Sequence, residues 1–263
     1  DGAPVVESTP SQIQYWRLAA RELMNAGSTG TPVFHLEFAP PPGAALHWES
    51  GDVAQLSVPS DPAHPRDYSI ASIPADGSLQ LLVRQEQHAD GSLGAASGLL
   101  TSTLPVGGAL PLRIRPHRNF RLGDNAERPL ILVGNGTGMA GLRGHLRERK
   151  RRGQHDNWLI FGERNAQHDR LYGSEIDDWC QAGVLRRMDW VFSRDQAERR
   201  YVQHRLLMAG DELLNWIGRG AAIYVCGSLQ GMASGVDAAL RQLAGDKRVR
   251  ELSATGRYRR DVY

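Results

Sequence analysis

The 263-residue sequence has few cysteines, a small net charge and no long hydrophobic run. Its two cysteines, Cys180 and Cys226, lack zinc-type spacing, which argues against a disulfide scaffold and against a structural metal, so no metal is expected. The net charge of +2 lacks the basic excess of a nucleic-acid-binding protein. No apolar stretch approaches the length of a transmembrane helix, and we expect no membrane contact by this segment itself.

The amino terminus lacks both an initiating methionine and a charged-then-apolar leader, which suggests a domain cut from a longer protein. Residues 1–14 are polar and proline-punctuated, and we interpret them as a linker remnant. The low cysteine content favours a cytoplasmic location, with a longer, membrane-anchored parent as an alternative. The remaining length suits two domains, each able to bury its own core.

Short apolar runs separated by turn residues dominate the first half of the chain, from Tyr15 to about Arg115. Their even spacing, with proline and glycine between them, favours an antiparallel β-barrel or sandwich. One interruption, from Gly94 to Leu104, has small residues at its start and predicts a short helix that ends before Pro105. We assign residues 15–124 to this all-β domain.

The second half, residues 125–263, changes to alternating strands and helices, which predicts a doubly wound parallel sheet. It opens with a buried strand, Leu130–Val133, followed by the glycine turn Gly134-Asn-Gly-Thr-Gly138 and a segment with helical spacing. A strand, glycine turn and helix can direct backbone N–H groups at an anion. The same pattern also occurs in connections that bind nothing.

Polar residues follow three of the predicted strands, where parallel sheets bind their ligands. They form the segments Phe161-Gly-Glu-Arg164, Ser193-Arg-Asp195 and Cys226-Gly-Ser228. Hydroxyls and arginines around Ser193, Arg194 and Arg199 suit a ribose phosphate, whereas a bare ribose usually requires an acidic residue. NADP is therefore favoured over NAD, with a solvated basic helix start as the alternative.

The barrel segment Arg66-Asp-Tyr-Ser-Ile-Ala-Ser72 brings together a guanidinium, a flat ring and a hydroxyl. Arg66 can bind a pyrophosphate, Tyr68 can lie against an aromatic cofactor, and Ser69 can hydrogen-bond a ring nitrogen. A barrel strand with a surface arginine and a packed tyrosine is the alternative. The position of Cys226 predicts a small side chain that fills the core. Taken alone, the terminal Tyr263 would be a frayed end, as last residues are in most proteins.

Together, seven motifs resemble the ferredoxin-NADP reductase superfamily, and within it the FAD/NADPH half of diflavin reductases, especially the sulfite reductase flavoprotein subunit. The resemblance begins at about residue 30 and continues to the carboxyl terminus. The motifs are Arg66–Ser72, Gly94–Ser97, Gly136–Gly138, Ser193–Gln196, Tyr201–Gln203, Tyr224–Gly227 and Asp261–Tyr263.

The resemblance implies two bound cofactors, FAD on the barrel and NADPH across the second domain. Its FAD-binding residues would be Arg66, Asp67, Tyr68, Ser69, Gly94, Ala95, Ala96, Ser97 and Tyr263. Its NADPH-binding residues would be Gly136, Thr137, Gly138, Ser193, Arg194, Arg199, Tyr201 and Gln203. Its hydride-transfer residues would be Ser69, Cys226 and Asp261, with Tyr263 stacked on the flavin.

The activity implied by the resemblance is transfer of hydride from NADPH to FAD, with single electrons then passing to an acceptor outside this chain. A stand-alone ferredoxin or flavodoxin reductase is an alternative, and a non-catalytic flavin-binding redox sensor is another. Two family acids are replaced here by Ser228 and Gly235, and the family's FAD-side tyrosine by Gln85. Residues 58–66 form only a short proline-rich link where diflavin reductases insert a connecting domain, and no FMN domain is expected within these residues.

Overall fold

A computed structural model describes residues 12–263 and contains an antiparallel barrel followed by a parallel sheet with helices on both faces. The predicted linker remnant at residues 1–14 lies almost entirely outside the described residues. The barrel strands are β1 Gln14–Leu23, β2 Val33–Ala39, β3 Val53–Val58, β4 Asp61–Ser69, β5 Leu79–Arg84 and β6 Ala109–Arg115. The parallel strands are β7 Leu130–Asn135, β8 Asn157–Glu163, β9 Arg187–Phe192, β10 Ala222–Gly227 and β11 Tyr258–Val262.

The barrel strands follow the order β4-β3-β6-β1-β2-β5, and every pairing between them is antiparallel. A bridge between Ile70 and Leu81 joins the two outer strands and closes the sheet. The barrel interior holds apolar residues from all its strands, including the buried Trp16, Leu36 and Leu56. The predicted helix is α1, Ala95–Gly98, which continues as a π-helical turn at Leu99–Thr103.

One part of the barrel differs from the prediction, because residues 61–66 belong to β4 and are not part of a link. Proline at positions 62 and 65 argued against a strand. However, β4 is an edge strand and pairs only with β3 along this stretch. An edge strand tolerates proline, which lacks an N–H group to donate. Only residues 59–60 separate β3 from β4, so no domain is inserted between them.

The second sheet has the order β11-β10-β7-β8-β9 and is parallel throughout. Two helices, α2 Met139–Arg151 and α3 Gly173–Gln181, pack on one face together with barrel residues. The opposite face is covered by α4 Val202–Met208, α5 Gly210–Gly218, α6 Ser234–Ala244 and α7 Asp246–Ala254. The predicted fold, a β-barrel followed by a doubly wound α/β sheet, is confirmed.

The barrel and the sheet share a buried interface. Arg143 on α2 donates to the Ala71 carbonyl at 2.9 Å and to Gln80 Oε1 at 2.7 Å, both in the barrel half. His145, also on α2, bonds Ser50 Oγ at 3.0 Å, and burial lowers the pKa of His145 to about 3. Because these polar groups are buried, their partners across the interface fix how the two halves meet.

A polar cavity and a carboxylate cluster at the junction of barrel and sheet

The carboxyl ends of β7, β8 and β9 surround a cavity of about 840 Å³ that also reaches the barrel. The barrel contributes Thr31, Arg84 and Glu86 to its lining. Parallel strands that end side by side expose the following loops at one edge, which explains why polar residues far apart in the chain meet here.

Most of the residues predicted to bind NADPH line this cavity. They are Gly136, Thr137, Ser193, Arg194, Arg199, Tyr201 and Gln203. The structure thus brings together residues from the first glycine turn, the end of β9 and the start of α4. Their roles in binding stay predictions.

Gly138, the last glycine of the turn, does not line the cavity and instead packs against β10. A Cβ on Gly138 would lie 2.0 Å from the carbonyl oxygen of Cys226, closer than any side chain could be accommodated. Gly136, which does line the cavity, has a φ of +56°. Gly138 therefore allows close packing against β10, whereas Gly136 allows a left-handed turn.

A second cluster gathers around the carboxylate of Asp261 on β11, close to the end of the cavity at Tyr263. Ser69 Oγ, from the barrel, donates to Asp261 Oδ2 at 2.7 Å. Cys226 Sγ lies 3.8 Å from the same oxygen, and His117 Nδ1 lies 3.8 Å from Asp261 Oδ1. The structure therefore brings the predicted hydride-transfer residues Ser69, Cys226 and Asp261 together and adds His117, which the sequence did not single out.

Cys226 is fully buried in β10, as expected for a residue that fills the core. Burial, with a further contribution from the Asp261 carboxylate, raises the pKa of its thiol well above the usual range. The sulfur therefore stays a neutral thiol at physiological pH and is not a nucleophile.

Strand pairing orders the last residues of the chain, including Tyr263, which taken alone could have been a frayed end. β11 pairs in parallel with β10, so that Asp261 lies opposite Cys226 and Val262 opposite Gly227. The Tyr263 amide donates to the Gly227 carbonyl at 3.1 Å, and its phenol oxygen lies 2.8 Å from Thr137 Oγ1. The exposed Tyr263 ring consequently borders the cavity.

The remaining predicted FAD residues lie on the barrel. Tyr68 packs partly buried against the barrel core, and burial together with the Glu86 carboxylate raises the pKa of Tyr68 to about 12. Glu86 also contacts the Gly94–Ser97 segment, since its amide donates to Ser97 Oγ at 3.0 Å. Ala96 is buried in the same core, and no side chain caps the helix that starts at Ala95.

Two predicted FAD residues are engaged with neighbouring protein groups. Arg66 Nη2 donates to Asp61 Oδ2 at 3.0 Å and is exposed. The Asp67 carboxylate accepts hydrogen bonds from Gln55 on the adjoining strand β3 and from Arg115 on β6, and Asp67 does not line the cavity. The Asp67 contacts were not evident from the sequence, because strand register brings their partners close.

Sequence reasoning assigned no role to several residues that line the cavity, notably Glu163, Arg84 and Asn135. Glu163 lies in the segment Phe161–Arg164, which follows a predicted strand and was therefore expected near a ligand site. Asn135 Oδ1 accepts from the Ser228 amide at 3.0 Å and so joins the ends of β7 and β10. The alternation of strands and helices was the only sequence signal for Glu163 and Asn135, whereas Arg84 lies in the barrel and had no such signal.

The described residues contain no helix long and apolar enough to cross a membrane. Over residues 12–263 the structure also shows no group of three or more histidine, cysteine, aspartate or glutamate side chains arranged to hold a metal ion.

Residues 132–238 match the oxidoreductase NAD-binding domain family. The chain is 40% identical over 215 residues to the sulfite reductase [NADPH] flavoprotein alpha-component of Vibrio cholerae serotype O1, covering 76% of this chain and 35% of that protein. It is 38% identical over 225 residues to the protein of the same name from Yersinia enterocolitica, covering 80% of this chain and 37% of the relative. The chain thus spans about a third of the length of these curated relatives. The predicted resemblance to the sulfite reductase flavoprotein subunit is confirmed.

Proposed function

We propose that this chain is an FAD-dependent, NADPH-oxidising reductase module that passes electrons singly to an acceptor outside it. The observation that carries the proposal is the hydrogen bond of 2.7 Å from Ser69 to Asp261, because it joins the barrel to the last strand of the parallel sheet. Cys226 lies beside this pair, and Tyr263 links it to the cavity. A cofactor on the barrel and another in the cavity would meet at this junction.

The cavity residues fit a phosphorylated dinucleotide. Two buried oxygens in its lining, Glu163 Oε1 and Gln203 Oε1, have no hydrogen-bond partner among the described residues, as expected of groups that await a ligand. Arginines at positions 194 and 199 supply cations for a ribose phosphate. We therefore assign NADPH to this cavity, with Gly136 and Thr137 at its pyrophosphate.

The barrel residues fit FAD. Tyr68 offers a partly buried ring beside the core, and the uncapped start of α1 at Gly94–Ser97 offers free backbone N–H groups. Arg66 supplies a cation, although it must exchange its bond to Asp61 for a phosphate. When bound, FAD would supply a ring system able to accept hydride from NADPH and to release electrons singly.

The residues of the junction hold and orient groups and do not perform acid-base catalysis on a C–H bond. Asp261 keeps its carboxylate next to Ser69 and Cys226, where a negative charge stabilises a positively charged nicotinamide ring. The Ser69 proton points at Asp261, which leaves the oxygen lone pairs of Ser69 free to accept a hydrogen bond. Tyr263 occupies the approach to this cluster and must swing aside for a second ring to enter.

We further propose that the electron acceptor is a flavodoxin-like domain, a haem or an iron centre, in the same longer protein or in a separate partner. The relatives are named as components of a sulfite reductase, which supports a partner that carries out the final reduction. A cytoplasmic location also stays a prediction, supported by the two cysteines, which are both free.

The proposal is tested by purifying the chain, loading it with FAD and mixing it with NADPH without oxygen. We expect the flavin absorbance near 450 nm to bleach within seconds and ferricyanide to restore it, as is typical of reduced flavins. Flavin that stays oxidised for minutes in excess NADPH would favour the non-catalytic alternative.

A further inference from the structure

The cavity is lined by one buried carboxylate with an oxygen that lacks a hydrogen bond, that of Glu163 at the end of β8. Its side chain is only 7% exposed; Oε2 accepts from the Arg164 amide at 3.3 Å, whereas Oε1 has no hydrogen-bond partner among residues 12–263. The nearest cation is Arg84 on the barrel, with Nη2 3.6 Å from Oε1, and Arg84 also donates to Thr31 Oγ1. A buried carboxylate left in this state costs stability and is expected to serve a ligand.

The position of Glu163 relates it to one part of the dinucleotide. β8 lies between β7, which ends in the proposed pyrophosphate turn, and β9, which ends at the proposed phosphate site around Ser193. Glu163 Oε1 lies 3.9 Å from the point where Gly136 would carry a Cβ. The Ser193 amide, on the other side, donates to the Glu163 carbonyl at 2.8 Å.

The covalent structure of NADPH follows the same order as these strand ends. Its pyrophosphate is joined through one methylene to the adenosine ribose, and that ribose carries the 2′-phosphate. Because neighbouring strands are about 4.8 Å apart, a ribose that connects groups at β7 and β9 must lie over the end of β8. The carboxylate of Glu163 is therefore at the level of the adenosine ribose.

We propose that Glu163 binds the adenosine ribose hydroxyls and so allows this site to accept NADH as well as NADPH. This inference rests on the proposed function and refines its coenzyme choice. NADH offers two hydroxyls on that ribose, and a carboxylate can accept a hydrogen bond from both. NADPH offers only the 3′-hydroxyl and carries a phosphate that the carboxylate repels. Glu163 consequently favours NADH, in opposition to the arginines that favour NADPH.

Binding measurements on the FAD-loaded chain at pH 8 test this inference. Isothermal titration calorimetry, by displacement for weak ligands, would compare 5′-AMP and NAD⁺, which carry the free diol, with 2′,5′-ADP and NADP⁺. We expect Glu163→Gln to weaken binding of 5′-AMP and NAD⁺ about 10-fold, the typical loss for a hydrogen bond to a charged group. Binding of 2′,5′-ADP and NADP⁺ should change less than about 3-fold or become tighter.

Two further variants complete the design. Arg194→Ala should show the reverse pattern, losing affinity for the phosphorylated ligands alone, and Glu251→Gln on α7, outside the cavity, should change neither pair. Equal effects of Glu163→Gln on both ligand pairs, or none, would overturn the inference. If the unaltered chain fails to bind NADP⁺ at all, the proposed function itself is wrong. Should Glu163→Gln not fold, Glu163→Asp takes its place, because it keeps the charge but has a shorter side chain. It must also weaken the binding of 5′-AMP and NAD⁺ more than the binding of 2′,5′-ADP and NADP⁺.

Discussion

The cavity on the parallel sheet and the proposed cofactor surface on the barrel differ in how their polar groups are satisfied. In the cavity, Glu163 and Gln203 each bury an oxygen without a partner. On the barrel, Arg66 and Asp67 bond to neighbouring protein groups. A buried group without a partner has lost its hydration and gains from a ligand, whereas a satisfied surface group must first give up a bond. Under the proposed function, the cavity is therefore prepared for its ligand, whereas the barrel surface must rearrange to bind one.

The largest effect is expected at the junction between these two regions. Asp261→Asn keeps the shape of the side chain and removes its charge, so the rate of flavin reduction by NADPH should fall by about 100-fold, the usual loss of one electrostatic stabiliser. Stopped-flow absorbance would measure this rate. NADP⁺ affinity serves as the control and should stay within a factor of about 3. An unchanged rate would show that the Ser69–Asp261 contact does not contribute to flavin reduction.

A selective loss is expected from the phosphate end of the cavity. Arg194→Ala removes a cation proposed to hold the 2′-phosphate, so the KM for NADPH should rise by about 10- to 100-fold. The KM for NADH should change little, because it lacks that phosphate. Steady-state ferricyanide reduction with each coenzyme provides the measurement. Equal losses with NADPH and NADH would show that the phosphate binds elsewhere.

The burial of the Glu163 carboxylate also predicts an effect on stability. Burial raises the pKa of Glu163 to about 7, against the opposing influence of Arg84 and with a further contribution from Asp169. Between about pH 4.5 and 7 the folded chain therefore holds a proton that the unfolded chain has released, and stability falls as the pH rises. Above about pH 7 this loss of folding stability no longer changes with pH.

Glu163→Gln removes the stability cost of the ionised, buried carboxylate and should stabilise the ligand-free protein at pH 8 by about 1–3 kcal/mol. At pH 4, where the carboxyl is protonated in both states, the variant and the unaltered chain should be equally stable. Urea unfolding followed by tryptophan fluorescence at both pH values measures the difference. A variant that is less stable at pH 8 would mean that the ion pair with Arg84 outweighs the cost of burying the carboxylate.

The smallest effect is expected at the carboxyl terminus. Tyr263→Ala removes a ring that we propose competes with nicotinamide, and stacking of this kind contributes about 1 kcal/mol. NADP⁺ should bind about 5-fold more tightly, and the use of NADH should increase relative to NADPH. Calorimetry and the ratio of kcat/KM values report these two changes. Tyr263→Phe is the control, since it keeps the ring and loses only the contact with Thr137.

Local patterns identified much of the fold. The apolar runs and turn residues of the first half predicted an antiparallel barrel, and the strand, glycine turn and helix after Leu130 predicted the start of the parallel sheet. Patterns were misleading where pairing overrides composition. The prolines of β4 suggested a link, yet residues 61–66 form a strand because the neighbouring strand β3 supplies hydrogen bonds.

The cavity was predicted only in part. Residues such as Ser193, Arg194 and Gln203 were predictable because they follow strands of a parallel sheet or match a family motif. Arg84 was not predictable, because it comes from the barrel and reaches the cavity only through the packing of the two halves. Glu163 was visible after a strand, but its burial and its lack of a partner are properties of three-dimensional packing.

The sequence by itself determined most of the strands and helices, the two-part architecture and the chemical types of residue available for binding, since these depend on periodicity and local sterics. Only the tertiary structure decided which of those residues meet. Ser69 and Asp261 are separated by 192 positions along the chain, and their oxygens are 2.7 Å apart. Contacts at such separation are set by strand register and by the buried interface between barrel and sheet, and a single sequence carries no local signal for either.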